Sequence, residues 1–273
     1  MLELEHGFQA IDVRARLHPG PGRPIRGKTV DAEELQRELH QAGIAQAVVF
    51  PGPVSGEQGY LRANNAIARQ TVDRPLIAMA RLDGPRVGSG TVAAEIKDRI
   101  ARPEPAHATP DDVKQYAYDD RFYGFKLSPH QDGLPTEEVL TALEVVGLPI
   151  LLDAGTDFPP AQVEEFLLGR SIPVVLSEFG GHPANRELMK EAIGLLDRWD
   201  SLYLDTSAVR YRDLLERAIM EHPDRILFGS GAPTVHPNVA VMEVLTLDVP
   251  ENAMERVFTK NPIRVLEGLE NGG

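Results

Sequence analysis

Residues 149–181 read PILLDAGTDFPPAQVEEFLLGRSIPVVLSEFGG. Two apolar runs of strand length, 149–152 and 173–177, flank a segment of helical character at 160–168. Pro160 sits in the first turn of that segment, where a missing N–H has no helical partner to lose, and Gly169 lies just beyond its end. Both strand runs are continuously apolar instead of alternating, the pattern of a parallel strand covered on both faces. The fold then turns on how often this strand–helix–strand unit recurs.

Working outward, runs at 10–13, 46–50, 76–81, 123–127, 202–205 and 225–228 bring the strands to eight. Asp31 reads as the N-cap of a helix with an acidic first turn, ended by Gly43. Thr136 opens another that Gly147 stops, and helices follow at 184–199, 210–221 and 252–268. Such alternation leaves a closed barrel or a doubly wound sheet. Eight units, with no Gly-x-Gly-x-x-Gly after the first strand, predict a single (β/α)8 TIM barrel over 1–273. The irregular stretch is 85–120, rich in proline and glycine around a helical piece at 91–101. It reads as an enlarged crossover between strands three and four, either a lid over the barrel mouth or an inert surface insertion.

The bulk properties agree. A chain of 273 residues is close to the roughly 250 of a typical barrel of this type. Hydrophobic residues at 42% and charged residues at 25% exclude general disorder. A formal charge of -13 disfavours nucleic acid and anionic membranes as partners, although a local basic pocket stays compatible with it. The absence of cysteine excludes disulfides, thiolate nucleophiles and cysteine-bound metals. The opening Met1-Leu-Glu-Leu-Glu-His6 is acidic where a signal peptide is basic, and no run reaches the roughly eighteen apolar residues of a membrane span. A cytoplasmic address is the expectation.

Barrels of this kind build their sites at the C-terminal ends of the strands. Strand one ends in Asp12-Val-Arg14-Ala-Arg16, so alternation puts both arginines on one side. Strand four ends in Lys126-Leu-Ser128-Pro-His130, strand five in Asp153-Ala-Gly155, and strand six in Ser177-Glu178-Phe-Gly-Gly181-His182. Strand seven ends in Asp205-Thr-Ser207, and strand eight in Phe228-Gly-Ser-Gly-Ala-Pro233.

Five segments, in this order on these strands, carry a family resemblance: Ile11-Asp-Val-Arg-Ala-Arg-Leu-His-Pro19, Gly124-Phe-Lys-Leu-Ser-Pro129, Leu148-Pro-Ile-Leu-Leu-Asp-Ala-Gly155, Pro173 to Gly181, and Ile226 to Pro233. The ending Phe258-Thr-Lys-Asn-Pro-Ile-Arg-Val-Leu266 adds to them. The chain resembles the amidohydrolase superfamily, in the branch that includes aminocarboxymuconate-semialdehyde decarboxylase. That resemblance implies a metal site, and here its positions are changed. The His-x-His of strand one falls on Arg14 and Arg16, the histidines of strands five and six on Asp153 and Glu178, and the strand-eight aspartate on Gly231.

Guanidinium offers no lone pair and stays protonated, so two arginines repel a cation instead of holding it. Neither metal nor cofactor is therefore expected. Arg14 and Arg16 with Asp153 and Glu178 would make a formally neutral cluster able to form bidentate pairs. This is either an anion clamp, with Arg14, Arg16, Lys126 and Asp205 binding substrate, or a salt-bridge network filling a relict pocket. Lys126 could instead pair with Glu178 or Asp205. Asp153, Glu178 and His182 are the candidate proton carriers, with the nearby arginines tending to keep both carboxylates ionised. The histidines that follow strand ends, His18, His130, His182 and His236, either line loops or cap helices, or else His18, His182 and His236, with Asp205, rebuild a metal site. Gly229-Ser-Gly231 lies where barrels often bind phosphate, but the resemblance already explains it.

Three functions remain open. The first is a metal-independent hydrolase or lyase acting on a small carboxylated molecule. The second is an inactive binding or partner subunit, as a homodimer or in a heteromer with an intact homologue. The third is a hydrolase with a relocated metal.

Overall fold

The computed structural model describes residues 7–18, 30–53, 60–85 and 107–266, and the structural statements below concern these. The helical piece expected at 91–101 lies outside them, as does much of the enlarged crossover. Eight parallel strands form one sheet in sequence order. The chain runs β1 (Ala10–Leu17), α1 (Ala32–Gln41), β2 (Ile44–Pro51), α2 (Leu61–Thr71), β3 (Leu76–Leu82), α3 (Pro110–Tyr118) and β4 (Phe122–Leu127). It continues with α4 (Pro129–Asp132), α5 (Glu137–Val146), β5 (Ile150–Gly155), α6 (Pro160–Val163), β6 (Val174–His182), α7 (Arg186–Leu195) and β7 (Leu202–Asp205). Last come α8 (Arg212–Glu221), β8 (Ile226–Leu227), α9 (Pro237–Leu245), α10 (Glu251–Glu255) and α11 (Asn261–Val265). Both α6 and α10 run on as a π-helical turn, Glu164–Leu168 and Arg256–Lys260.

The barrel closes between its last and first strands. The N–H of Val13 donates to Phe228 O at 2.9 Å, that of Gly231 to Arg14 O at 3.0 Å, and that of Arg16 to Ala232 O at 2.9 Å. Inside, Ile11, Val13, Val48, Met79, Val175 and Leu227 pack into one apolar plug. Outside, the opposite strand faces meet the helices in a larger core that includes Ala15, Leu17, Val49, Phe125 and Leu152. The barrel and its eight strands are thus as the sequence predicts.

Besides the single turn of α4, three helices were not announced by periodicity. The buried face of α2 is Asn64, Ile67, Ala68 and Thr71, so half of it is polar. Asn64 earns that place by bonding both the N–H and the C=O of Arg81. The sequence of α9, PNVAVMEVL, is apolar on nearly every side and carries no stripe. The third, α3, lies within the irregular stretch and has its own Thr109 capping box. Strand six also runs further than its apolar core, to His182.

One irregularity positions the site. Between Asp12 and Ala15 the register of β1 slips by one residue against Ala47 and Val49 of β2. This is a β-bulge, and it inverts the inward–outward alternation. Ile11 and Val13 point into the plug before it, and Arg14 and Arg16 line the pocket at the barrel mouth after it. The carboxylate of Asp12 holds the bulge. It accepts from Arg14 N at 2.9 Å and from both the N–H and the hydroxyl of Ser230.

Burial pushes the Asp12 carboxyl up to about 7, against the lowering effect of its Ser230 and Arg14 hydrogen bonds. A carboxyl raised on folding adds stability that is complete below its ordinary 3.8 and is lost as pH climbs through about 7. Asp12→Asn keeps the shape and an acceptor without the charge. Relative to wild type, the variant is expected to gain stability between about pH 4 and pH 7, measured by urea unfolding. A difference that does not change with pH would contradict this account.

Candidate active site

The C-terminal mouth of the barrel opens into a cavity of about 140 Å³. Its floor is built around Arg14. One guanidinium nitrogen of Arg14 lies 3.2 Å from Asp153 Oδ1, and the other lies 3.3 Å from Glu178 Oε1 and 3.1 Å from Ser207 Oγ. Asp153 has further partners. Lys126 Nζ stands 2.6 Å from its Oδ1, and Ser128 Oγ donates to Oδ2 at 2.6 Å. Burial alone would raise the Asp153 carboxyl, but Lys126 and Arg14 outweigh it and hold it well below the usual carboxylate range. Burial pulls the Lys126 ammonium down to about 8, and the charge of Asp153 limits the fall.

Glu178 sits at φ 55° and Phe179 at φ 51°, left-handed conformations that cost a non-glycine residue on the order of 1–2 kcal/mol. This backbone turns the Glu178 N–H onto Asp205 Oδ1 at 3.1 Å. One oxygen of the Glu178 side chain then faces Arg14, and the other lies 2.8 Å from His182 Nδ1. That hydrogen bond raises the His182 pKa above 6.5, while Glu178, despite its burial, is lowered by His182 and Arg14. The His182 ring is half exposed at the rim and stacks on His130, with centroids 6.3 Å apart.

Arg16 differs from its neighbour. It donates to Thr234 Oγ1 at 2.9 Å and forms no ion pair among the described residues. Burial, and then the charge of Arg14, lowers its pKa from 12.5 to about 10. Arg81, at the end of β3, completes the positive wall but is committed elsewhere. Its Nε bonds Asp132 at 2.7 Å, and its terminal nitrogens bond Gln131 Oε1 and Pro51 O. The ion pairs are thus Arg14 and Lys126 with Asp153 and Glu178, and Arg81 with Asp132. Arg16 lines the cavity outside these pairs among the described residues. On the same wall, the buried hydroxyl of Ser177 has no hydrogen-bond partner.

These distances correct several expectations. Lys126 and Asp205 are wholly buried and do not line the cavity, so neither can touch a ligand. Lys126 pairs with Asp153, not with Glu178 or Asp205. Asp205 instead receives the N–H groups of Glu178 and Ser207. Asp153 lines the cavity, but with a cation on one oxygen and a hydroxyl on the other it is fixed as an anchor and no longer suited to proton transfer. The four-membered cluster splits as well, since Arg16 stands outside it. Arg81 was overlooked, although it ends an expected strand, the position that selected every other candidate.

Among the described residues, the histidines after the strand ends are not gathered with carboxylates into a candidate metal centre. His236 accepts the Asn238 N–H as the cap of α9, and His18 lies against Gly52. Among the described residues, no three histidine, aspartate or glutamate side chains are grouped to hold an ion. The five positions to which the resemblance assigns a metal do not suit one either. A guanidinium stands between the two carboxylates, and Lys126 already shares Asp153. Gly231 has φ 70°, and a Cβ there would lie 3.5 Å from Arg14 Nη1, so a side chain would compete with Arg14 for room.

Residues 8–268 match the family model for Amidohydrolase, and the chain belongs to that family. Among curated proteins none matches. Among solved structures, the chain is similar to an uncharacterized TIM-barrel protein from Bordetella bronchiseptica, at 18% identity and TM-score 0.65, covering 94% of this chain and 97% of that one. A dihydroxybenzoic acid decarboxylase from Polaromonas, with bound manganese and the inhibitor 2-nitroresorcinol, is 13% identical with TM-score 0.64, covering 94% and 96%. A probable 2-pyrone-4,6-dicarboxylic acid hydrolase from Acinetobacter baumannii, with citric acid bound, is 15% identical with TM-score 0.59, covering 94% and 99%. At these identities the likeness is one of fold.

Proposed function

We propose that this protein is a metal-independent hydrolase or carbon–carbon lyase that takes a small carboxylated substrate. The observation that carries the proposal is Arg16, a cation facing the cavity with no carboxylate in ion-pair contact among the described residues. An uncompensated charge in a partly desolvated wall is costly unless a ligand supplies the counter-charge. A carboxylate bound there meets the guanidinium and the Thr234 hydroxyl. The cavity, about 140 Å³, matches the roughly 150 Å³ that admits one benzene ring. The decarboxylase and the dicarboxylic acid hydrolase to which the fold is similar are named for carboxylated compounds built on one six-membered ring.

Proton transfer falls to Glu178 and His182. The imidazolium, stabilised by Glu178, donates to a leaving oxygen or to the electron pair left by bond scission. The neutral ring then takes a proton back from water at its exposed edge. Because Glu178 raises the His182 pKa, Glu178→Gln is expected to lower it, which NMR titration of the ring protons measures. The acid form then persists to a lower pH limit than in wild type. An unchanged titration would remove Glu178 from this role.

The proposal is tested by calorimetric titration with benzoate and citrate, followed by a turnover screen of carboxylated phenols and lactones on chelator-dialysed protein. Binding with turnover is expected. Binding without turnover would identify a carboxylate-binding protein in place of an enzyme, and no binding would overturn both.

A further inference from the structure

The ends of four strands converge on the Arg14 guanidinium. Asp153 comes from β5, Glu178 from β6, Asp205 and Ser207 from β7 and the turn after it, and Gly231 from the turn after β8. Two carboxylates and one hydroxyl lie within 3.3 Å of its terminal nitrogens. Gly231 leaves the fourth side open, with a would-be Cβ 3.5 Å from Nη1. Asp205 is completely buried, and its Oδ2 has no hydrogen-bond donor, so an acceptor beside this cluster is still unfilled.

We infer that the strand ends form a built-in guanidinium site whose resident ion is the Arg14 side chain, and that shortening Arg14 opens the site to free guanidinium. The chemistry selects a planar organic cation over a divalent metal. Two carboxylates from different strands accept from different nitrogens of one fork, and a hydroxyl shares the second nitrogen. A metal would need several oxygens converging on one point. Lys126 Nζ, 2.6 Å from Asp153 Oδ1, would oppose a dication at the oxygen it needs most. The inference stands apart from the carboxylate proposal, because Arg16 takes no part in it.

The test is chemical rescue of the full-length chain. Arg14→Ala is melted with guanidinium chloride up to about 50 mM, against sodium chloride at equal ionic strength. The variant is expected to gain about 3–5 °C that wild type does not. Adding Glu178→Gln is expected to remove most of the gain. Arg14→Gln, which keeps a donor toward the carboxylates, carries the same test if the alanine variant does not fold. No gain in a folded variant, or an equal gain in wild type, overturns the inference. So does stoichiometric binding of manganese by wild type in equilibrium dialysis. The readout uses no carboxylate ligand, so failure here and failure of the carboxylate proposal are separable.

Discussion

Asp153→Ala is expected to lower the unfolding free energy by about 3–5 kcal/mol, the largest loss from any single substitution in the site. Lys126 is completely buried, and Asp153 is its one carboxylate partner among the described residues. Its other neighbours are the carbonyls of Leu127 and Leu151 and the face of Phe50, which stabilise a cation far less. Removing the carboxylate leaves an ammonium in the barrel with no counter-charge, and takes a partner from Arg14 and Ser128 as well. Lys126→Met removes only the ammonium, and Asp153 keeps Arg14 and Ser128, so a smaller loss is expected. The double variant Asp153→Ala/Lys126→Met is expected to recover about 2 kcal/mol relative to additivity, measured by urea unfolding. A loss below about 1 kcal/mol for Asp153→Ala would mean that the barrel tolerates the bare ammonium. The sign with pH follows from the depressed carboxyl. The stabilisation is present above the ordinary carboxylate value and disappears as pH falls towards the folded one.

How much of this was legible in the sequence depended on whether a feature is set locally. The eight strands were, because each is a short apolar run and the inner and outer faces of a barrel strand are both covered. The polar strand ends were legible too, since the fold puts them at the mouth whatever their partners. Pairing was not. Nothing near Lys126 in sequence says that Asp153, 27 residues on, lies opposite it on the next strand. The two arginines of strand one look equivalent as Arg-Ala-Arg, yet one is enclosed by carboxylates and the other is not. That difference arises because Asp153 and Glu178 approach from one side of the barrel, while the turn after β8 brings only Thr234 to Arg16. The bulge that aims both of them inward did leave a trace. Asp12 stands two residues before Arg14, where a side-chain acceptor can take the backbone N–H.

Arg14 and Arg16 thereby divide two tasks that a single metal ion can combine, neutralising the strand-end carboxylates and attracting an anion. Both terminal nitrogens of Arg14 are held by protein groups, and its pKa is raised by Asp153, Asp205 and Glu178 in spite of burial. A ligand carboxylate approaching it would meet two carboxylates already in place. Arg16 has different surroundings, with a cationic neighbour and, among the described residues, no carboxylate in ion-pair contact, although Asp153 and Glu178 act on it from further away. Stability and binding therefore map onto different residues, which makes them separable by substitution.

Arg16→Ala is expected to weaken binding of benzoate and citrate by about 30- to 100-fold, the loss of a charge-assisted contact worth about 2–3 kcal/mol. Its effect on the fold is expected to have the opposite sign to that of Asp153→Ala. In the free protein Arg16 is repelled by Arg14 and partly desolvated, and in return it makes a single hydrogen bond to Thr234. Removing it relieves that cost, so the variant should melt at the wild-type temperature or above it. Arg16→Lys restores a charge without the planar fork and should recover only part of the affinity. Calorimetric titration and thermal melts on the same preparations check both halves. Undiminished binding by Arg16→Ala would move the anion site elsewhere, with Arg81 the next candidate. A drop of several degrees in its melting temperature would show instead that Arg16 is a structural group, and that the cavity wall needs its charge even without a ligand.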